Sequence, residues 1–463
     1  MKLHSIIFFV LILCGFLVAQ EDDIIHITGK KYIGKTLNGE SIREVQGNVV
    51  LTQGNVRINC DTAVQYLASN NAKLEGNVII TQDTVTITAD SGYYYGTEKK
   101  AETSAGVTLN DKKVILTADS GSYFFNNKVA VFRHNVKLYD TTTILTSEKL
   151  IYYKTQDRII ATGNVKIVDN ENVTYADSVD FYRKLRISFA YKNVRIKNLK
   201  NNVMIFGEHL ENYAKRNYTL VDKNPVMIQI DTAYMERNLT NSEGLKFVLD
   251  TLVIKSKKME SFRDSSIYKA EDSVRIVRGD FASRNDFTIY YKKQQKIITY
   301  KTVENASQPI LWFSNSQLTG DSVTIYLVNN RINHLEVDRD AFVLSQDSTY
   351  QRRFNQLSGS KVIAYFSDNQ LVRTEIFGGV HSIYYLFDDH TKNGLTKSSS
   401  ERAIIDFVNK RVNEVKLYGS PTSEYYPEKM VSGKEPAFTL PHYIFYNNRP
   451  QKSQLLKKIN INF

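Results

Sequence analysis

The feature that most limits how this chain can fold is an apolar repeat of 29 residues. Six valines follow this spacing, and each is followed two positions later by another apolar residue, as Val49 is by Leu51. Since alternate residues of a β-strand face the same side, each such pair lies on one face of a strand. The repeat therefore predicts stacked strands that share one apolar surface, and its valines are Val49, Val78, Val107, Val136, Val165 and Val194.

A second strand in each repeat alternates in the same way. Ile58 corresponds to Ile87 and, one repeat further, to Leu116. The sequence holds 29 tyrosines and 23 phenylalanines, a content that favours strands. Each repeat closes on an aromatic residue, which predicts a ladder of rings formed by Tyr66, Tyr95, Phe124, Tyr153 and Tyr182.

After about residue 200 a longer period appears, for which Ser322–Leu327 and Lys361–Phe366 are two of the copies. Five of the seven prolines follow residue 420, so the last segment is expected to cap the stack and then fray. The chain therefore divides into a signal peptide at 1–20, a region of 29-residue repeats at 21–216, a region of longer repeats at 217–430 and a proline-rich tail at 431–463.

The first twenty residues predict export. Lys2 precedes an apolar run, and Val18-Ala19-Gln20 offers a small-residue cleavage site, as in a secretory signal peptide. We expect a periplasmic protein, with association with the outer membrane left open. Of the two cysteines, Cys14 lies in the peptide and Cys60 remains, so no internal disulfide is expected.

Net charge and motif content exclude several classes of function for this chain. The net charge of +11 at pH 7 suits an anionic partner and is equally consistent with ordinary solubility. The histidines have no metal-ligand spacing, and the Gly-x-Ser-x-Gly and phosphate-loop motifs are absent from the sequence. We therefore predict no catalysis, cofactor, metal or nucleic-acid partner. A polysaccharide-cleaving enzyme would need clustered carboxylates, which the sequence does not display.

Two all-β shapes fit the repeat. In a closed β-helix or solenoid, side chains fill the interior, whereas an elongated open β-jelly-roll keeps an apolar groove along its length. Such a groove suits acyl chains, because each buried methylene contributes about 0.8 kcal/mol. The pattern alone does not separate the two shapes.

The amino-acid sequence of the repeat resembles the core motif of the OstA-like family. The resemblance rests on residues 47–61, on Gly163-Asn164-Val165 and on the Ala-Asp pairs such as Ala89-Asp90. That family includes the periplasmic lipopolysaccharide transport protein and the periplasmic domain of the outer-membrane lipopolysaccharide translocon. The resemblance implies the open β-jelly-roll, edge-to-edge docking with other β-jelly-roll transport components and with the translocon, and carriage of lipid A acyl chains towards the outer membrane.

Two sets of candidate residues follow. Inward apolar side chains are the candidates for a lipid groove, and plain core packing is the alternative: Val49, Leu51, Ile58, Val78, Ile80, Ile87, Val107, Leu109, Leu116, Val136 and Leu138. A basic run is the candidate for lipid phosphates, and an exposed polar face is the alternative: Arg183, Lys184, Arg186, Lys192, Arg195 and Lys197. The recurring aspartates, such as Asp61 and Asp119, are interpreted as turn acceptors rather than as metal ligands. A scaffold that docks β-jelly-roll partners without lipid is the second functional hypothesis.

Overall fold

The structure, a computed structural model, describes residues 24–234, 247–304, 307–329, 331–347, 349–368, 370–388, 391–408, 411–457 and 459. The predicted signal peptide at 1–20 lies outside these residues. Two compact units divide between Val194 and Arg195. The domain boundary predicted at 216/217 stays a prediction.

The first unit is an antiparallel meander of long strands, in which pairs of shorter strands such as β7 and β8 take the place of one long strand. The register places His26 opposite Thr52 at its start and Arg158 opposite Tyr182 near its end. The all-β prediction is confirmed, and the antiparallel pairing excludes a parallel β-helix for this unit. Its strands are β1 (His26–Thr28), β2 (Lys31–Leu37), β3 (Glu40–Gln53), β4 (Val56–Tyr66), β5 (Asn71–Gln82), β6 (Val85–Tyr95), β7 (Lys100–Thr103), β8 (Val107–Asn110), β9 (Ile115–Ala118), β10 (Ser120–Phe124), β11 (Val129–Asp140), β12 (Thr143–Tyr153), β13 (Arg158–Val168), β14 (Asn172–Tyr182) and β15 (Ile187–Asn198), which contains the division.

Alternate long strands of this unit, namely β3, β5, β11, β13 and β15, are bent near their middle by two residues with positive φ. In β3, Gly47 and Asn48 have φ of 80° and 50°, and the pairing with β4 shifts at this point. Glycine and asparagine tolerate this left-handed conformation better than other residues, and the extra residues bend the strand as a bulge does. The pair recurs at Gly76/Asn77, His134/Asn135, Gly163/Asn164 and Lys192/Asn193.

The bends fold the meander into two halves that face each other. Val78 lies in β5 after its bend, and Ile87 lies beside it in β6, on the same half of the sheet. Leu74 and Phe132 lie on the other half, and all four side chains line one small cavity. Side chains on both inward faces are buried, among them Val45 and Leu74 at 0% exposure. The first unit is therefore a bent sheet whose apolar faces pack against each other.

The second unit repeats the antiparallel arrangement with longer strands. Val323 pairs with Val337, which pairs with Val362, and the register continues through Ile376 to Ala403. The strands are β16 (Val203–Tyr213), β17 (Tyr218–Asp222), β18 (Val226–Tyr234), β19 (Phe247–Lys255), β20 (Lys258–Phe262), β21 (Ile267–Arg278), β22 (Phe281–Tyr291), β23 (Lys296–Tyr300), β24 (Ile310–Phe313), β25 (Ser316–Thr319), β26 (Ser322–Val328), β27 (Arg331–Gln346), β28 (Phe354–Ser367), β29 (Gln370–Asp388), β30 (Thr391–Val408), β31 (Arg411–Tyr418) and β32 (Thr422–Tyr426).

Short helices complete this unit. Two 3-10 turns span Ala214–Arg216 and Glu435–Ala437, and two α-helices span α1 (Glu428–Val431) and α2 (Lys452–Leu456). Among the described residues, no helix has the length and apolar content needed to cross a membrane.

The tail after Tyr426 does not fray as expected. Val431, Leu440 and Leu455 are buried at 0%, 3% and 8% exposure in the apolar cores of the second unit. The expectation was wrong because prolines stop the tail from joining the sheet as a strand but leave its apolar side chains free to pack.

The bends yield a testable stability difference. A Cβ on Gly76 would lie 2.3 Å from Asp61 Oδ2, whereas one on Gly106, with the same φ of +77°, would meet nothing within 4 Å. Both alanine variants carry the backbone penalty, but Gly76→Ala adds an overpacking cost of about 1–3 kcal/mol. Hydrogen–deuterium exchange of β4 and β5 should show the greater loss of stability in Gly76→Ala. Equal losses in the two variants would show that the close approach to Asp61 does not matter.

Candidate functional site

All eleven residues predicted to line a groove point into the first unit. They are exposed by 7% or less, and Leu109 and Leu116 are fully buried. They lie on one half of the sheet, which consists of β3, β5 and β11 after their bends, the first residues of β4 and β6, and the short strands β8 and β9. The structure brings them together on one apolar surface, and their role as a lipid groove stays a prediction.

The facing half contributes side chains that the sequence reasoning missed. Leu74, Phe132 and Leu150 are buried opposite the predicted set. So are Tyr94, Tyr123 and Tyr152, which are themselves spaced by 29 residues. This 29-residue spacing could have predicted the buried tyrosines. The aromatic ladder was instead predicted from the residues one position later, which lie on the outward face.

The predicted aromatic ladder lies on that outward face with cations between its rings. Lys100 Nζ lies 4.7 Å from the ring centre of Tyr95 and 5.8 Å from that of Phe124. Arg158 lies 5.0 Å from the ring of Tyr182 and 5.8 Å from that of Tyr153. These cation–π contacts stabilise the outside of the sheet by roughly 0.5–1 kcal/mol each.

The two inward faces of the first unit pack closely around one small cavity. The cavity between the two halves has a volume of about 20 Å³. That volume is about what one water molecule needs, so an acyl chain does not fit between the halves as they stand. Any lipid that enters must separate them.

The two halves meet at a line of polar contacts that we call the seam. It joins the turns after β3, β5, β8 and β11 to the strand ends and turns after β6, β10, β12 and β14. At its first rung, Tyr94 donates to Gln53 Oε1 at 2.6 Å, and Gln53 Nε2 donates to the Gly96 carbonyl at 3.0 Å. At the second rung, Gln82 Nε2 donates to the Phe125 carbonyl at 3.4 Å.

Two charged rungs continue the seam. The Tyr152 hydroxyl donates to the Asp111 carboxylate, and Arg183 Nη2 donates to Asp140 Oδ2 at 3.1 Å. Burial alone would raise the pKa of Asp140, but the Thr141 N–H and the Arg183 guanidinium lower it below its usual value. The seam residues Gln53, Gln82, Asp111 and Asp140 are again 29 residues apart.

The seam is weaker than the strand ladders on either side of it. A single side-chain hydrogen bond contributes about 0.5–1.5 kcal/mol, and one to a charged group about 1.5–3 kcal/mol. The second rung is also incomplete, because the buried Tyr123 hydroxyl has no hydrogen-bond partner. The side-chain bonds across the seam are therefore weaker than the backbone ladders that join neighbouring strands.

The basic run does not form one cluster. Arg183 is held by Asp140 and by Asp157, whose Oδ1 lies 2.7 Å from Arg183 Nη1. Lys184 and Arg186 are exposed in the turn after β14, whereas Lys192 is exposed at the bend of β15. Arg195 and Lys197 belong to the second unit. The headgroup role of these six residues stays a prediction.

The recurring aspartates accept hydrogen bonds at the bends. Asn77 Nδ2 donates to Asp61 Oδ2 at 2.8 Å, and Asn135 donates to Asp119 in the same way at 2.7 Å. Each bond ties the bend of one strand to the strand before it, which explains the period of these residues. In the part of the chain that the structure describes, no group of three or more His, Cys, Asp or Glu side chains is placed to hold a metal ion.

Comparison with known proteins finds one family that matches part of the first unit. Residues 30–159 match the family model described as OstA-like protein, so the predicted OstA-like resemblance is confirmed over this segment. All four seam residues from Gln53 to Asp140 lie within it. The curated proteins contain no match to the sequence.

Sixteen chains of solved structures also match. One is LptH of Pseudomonas aeruginosa, described as the LptA-homologous periplasmic component of the conserved lipopolysaccharide transport device. It is 16% identical, and the match covers 29% of this chain and 81% of that chain with a TM-score of 0.16. This TM-score is too low to assign a shared fold, so the fold is defined by the strands and bends described above.

The seam predicts opposite outcomes for two tyrosines at equivalent repeat positions. Tyr94→Phe leaves the buried Gln53 oxygen without its donor, so the unfolding free energy of the first unit should fall by about 1–3 kcal/mol. Tyr123→Phe removes a buried hydroxyl that has no partner, so stability should stay equal or rise. Hydrogen–deuterium exchange of β6 and β10 measures both effects. Equal losses in the two variants would mean that the seam bond of Tyr94 contributes nothing.

Proposed function

We propose that the protein is a non-enzymatic lipid carrier of the periplasm, which binds lipopolysaccharide or a related lipid and passes it towards the outer membrane. The observation that carries the proposal is the first unit itself. Within the segment that matches OstA-like proteins, two apolar faces are held together by a weak polar seam. This arrangement suits a ligand that is long, apolar and charged at one end.

Entry of lipid requires the two halves to part along the seam. The apolar side chains then exchange contact with each other for contact with acyl chains, so little apolar surface meets water. Each acyl methylene that becomes buried contributes about 0.8 kcal/mol, so ten of them offset several seam hydrogen bonds. The strand ladders stay intact, because each strand keeps its neighbours on its own half.

The lipid headgroup would remain at the seam, where water reaches it. Lys184 and Arg186, exposed in the turn after β14, lie beside Arg183 at the end of the seam. Cations there would meet the phosphates of the lipid, and Arg183 would join them if its pairs with Asp140 and Asp157 opened. The cation at the bend, Lys192, lies away from the seam and is left out of this proposal.

Partners would dock through sheet edges. At the start of the first unit, β1 and β2 each pair with β3 and, among the described pairings, with no other strand. They therefore form an edge of the sheet. Backbone groups on an edge strand can pair with a strand of another chain. We propose other β-jelly-roll transport components and the outer-membrane translocon as these partners. Lys2 and the apolar run of the predicted signal peptide support export.

A scaffold without lipid is the second candidate, and the close packing of the two inward faces favours it. Side chains that already reduce the cavity to about 20 Å³ leave no standing groove. In that case the sheet edges alone would act, by joining partner chains. The two proposals differ in whether lipid ever reaches the buried faces.

Photo-crosslinking tests the carrier. Photoreactive residues at Val78, Leu109 and Leu138, which are buried at 2%, 0% and 2% exposure, should capture lipopolysaccharide. The matched control is Ile79, which neighbours Val78 but is 40% exposed on the outward face. Capture from Ile79 alone, or from none of these positions, would reject the carrier. Native mass spectrometry should then show an oligomer free of lipid if the protein is a scaffold.

A further inference from the structure

The second unit contains a buried arginine whose hydrogen-bonding capacity is mostly unused. Arg353 is 1% exposed, and its Nε and Nη1 atoms have no hydrogen-bond partner. The rings of Tyr385 and Tyr350 lie 5.0 Å and 5.8 Å from its guanidinium carbon. Burying a cation whose N–H donors are unpaired raises the free energy of the folded protein. An anion with several acceptor atoms would bind these donors and lower that free energy.

The anions that do reach Arg353 come from the tail. Glu428 Oε1 lies 2.5 Å from Arg353 Nη2, and Glu435 Oε1 lies 3.6 Å from the same atom. Next to these carboxylates, Val431 and Leu440 enter the apolar core formed by Phe342, Leu344, Ile383, Tyr385 and Leu395. The tail therefore presents a charged group and apolar groups side by side, as an acidic amphiphile does.

The rest of the tail runs back along the second unit without joining the sheet. The buried side-chain amide of Gln356 bonds to the backbone of Phe438 and Leu440, and that of Gln317 bonds to Ile444 and Tyr446. Residues 427–457 contain no strand. Further on, Leu455 packs in the core around Trp312.

These contacts hold the tail at separate points. Between the buried Leu440 and Leu455, the side chains of Ile444 and Phe445 are 52% and 47% exposed. Besides Val431, Leu440 and Leu455, the partly buried side chains of the tail that pack on the two cores are Phe438, Tyr443, Tyr446, Leu456 and Ile459. These anchors and side-chain hydrogen bonds of about 0.5–1.5 kcal/mol each act separately, whereas a strand ladder is continuous. The tail can therefore leave while the strands stay paired.

We infer that residues 427–457 are a detachable strap that occupies a binding site for an acidic amphiphile. In this site Arg353 binds the anionic group, a phosphate or a carboxylate, and the core around Leu344 and Leu395 takes the acyl chain. Glu428 and Leu440 of the strap fill the two subsites until a ligand displaces them. The inference rests on the proposed function and assigns to the second unit a site with its own occupant.

Competition in the wild-type protein is the first test. Dodecyl phosphate, dodecanoate and dodecanol are added to the full chain, and hydrogen–deuterium exchange is followed in residues 428–457 and in β28 and β29. The two anions should increase exchange of the strap while β28 and β29 stay protected, and dodecanol should act more weakly. The stronger anion identifies phosphate or carboxylate as the preferred group. Bound anions that leave strap exchange unchanged would overturn the inference.

A matched pair of variants is the second test. Glu428→Gln weakens the hold of the strap on Arg353, so the anionic probes should bind about tenfold more tightly. The control is Glu424→Gln, since Glu424 accepts a hydrogen bond from the Tyr426 hydroxyl and lies in β32, outside the strap. Equal affinities in the two variants would overturn the inference, and if Glu428→Gln does not fold, the wild-type competition decides.

Failure of this inference is distinguishable from failure of the carrier proposal. Crosslinks at Val78, Leu109 and Leu138 report on the first unit, whereas strap exchange reports on the second. Lipopolysaccharide captured in the first unit with an unresponsive strap rejects only the strap. A responsive strap without capture at those positions rejects only the carrier role of the first unit.

Discussion

The fold of the first unit depends on a pair of left-handed residues in the middle of alternate long strands, from β3 to β15. Gly47 and Asn48 bend β3 at the point where its register with β4 shifts, and later pairs do the same. Without them the meander would be a flat sheet with one apolar face in water. With them, the sheet bends so that its two halves cover each other, and hydrogen bonds such as Asn77 to Asp61 hold neighbouring bends together.

A bent sheet of this kind must still close where its two halves meet, and the two units close differently. In the first unit, polar side chains at the strand ends bond directly across the seam, as Gln53 does with Tyr94. In the second, the buried amides of Gln317 and Gln356 bond instead to the backbone of the tail. Both closures rely on side-chain hydrogen bonds, which are weaker together than the ladders they join. In both units, the contacts that form this closure lie outside the strand ladders.

Part of this arrangement was predictable from the sequence. The burial of Val49, Leu109 and the rest of the predicted set follows from a 29-residue period combined with strict alternation, which are local properties. The buried Tyr94 had the same period but lies between Tyr93 and Tyr95, so alternation alone did not tell which ring faces inward. For the basic run, closeness in sequence did not predict closeness in the structure. Its members are neighbours in sequence, yet Arg186 lies in a turn and Lys192 at a bend.

The sequence by itself determined the strands, their inward faces and the OstA-like character of residues 30–159, because alternation and repeat spacing act over a few residues at a time. Only the tertiary structure decided how the interiors are closed. Seam contacts join residues more than 40 positions apart, such as Gln53 and Gly96, and Arg449 of the tail reaches the Asp280 carbonyl across 169 positions. No local pattern encodes such contacts, since they form only after the bends have brought distant turns together.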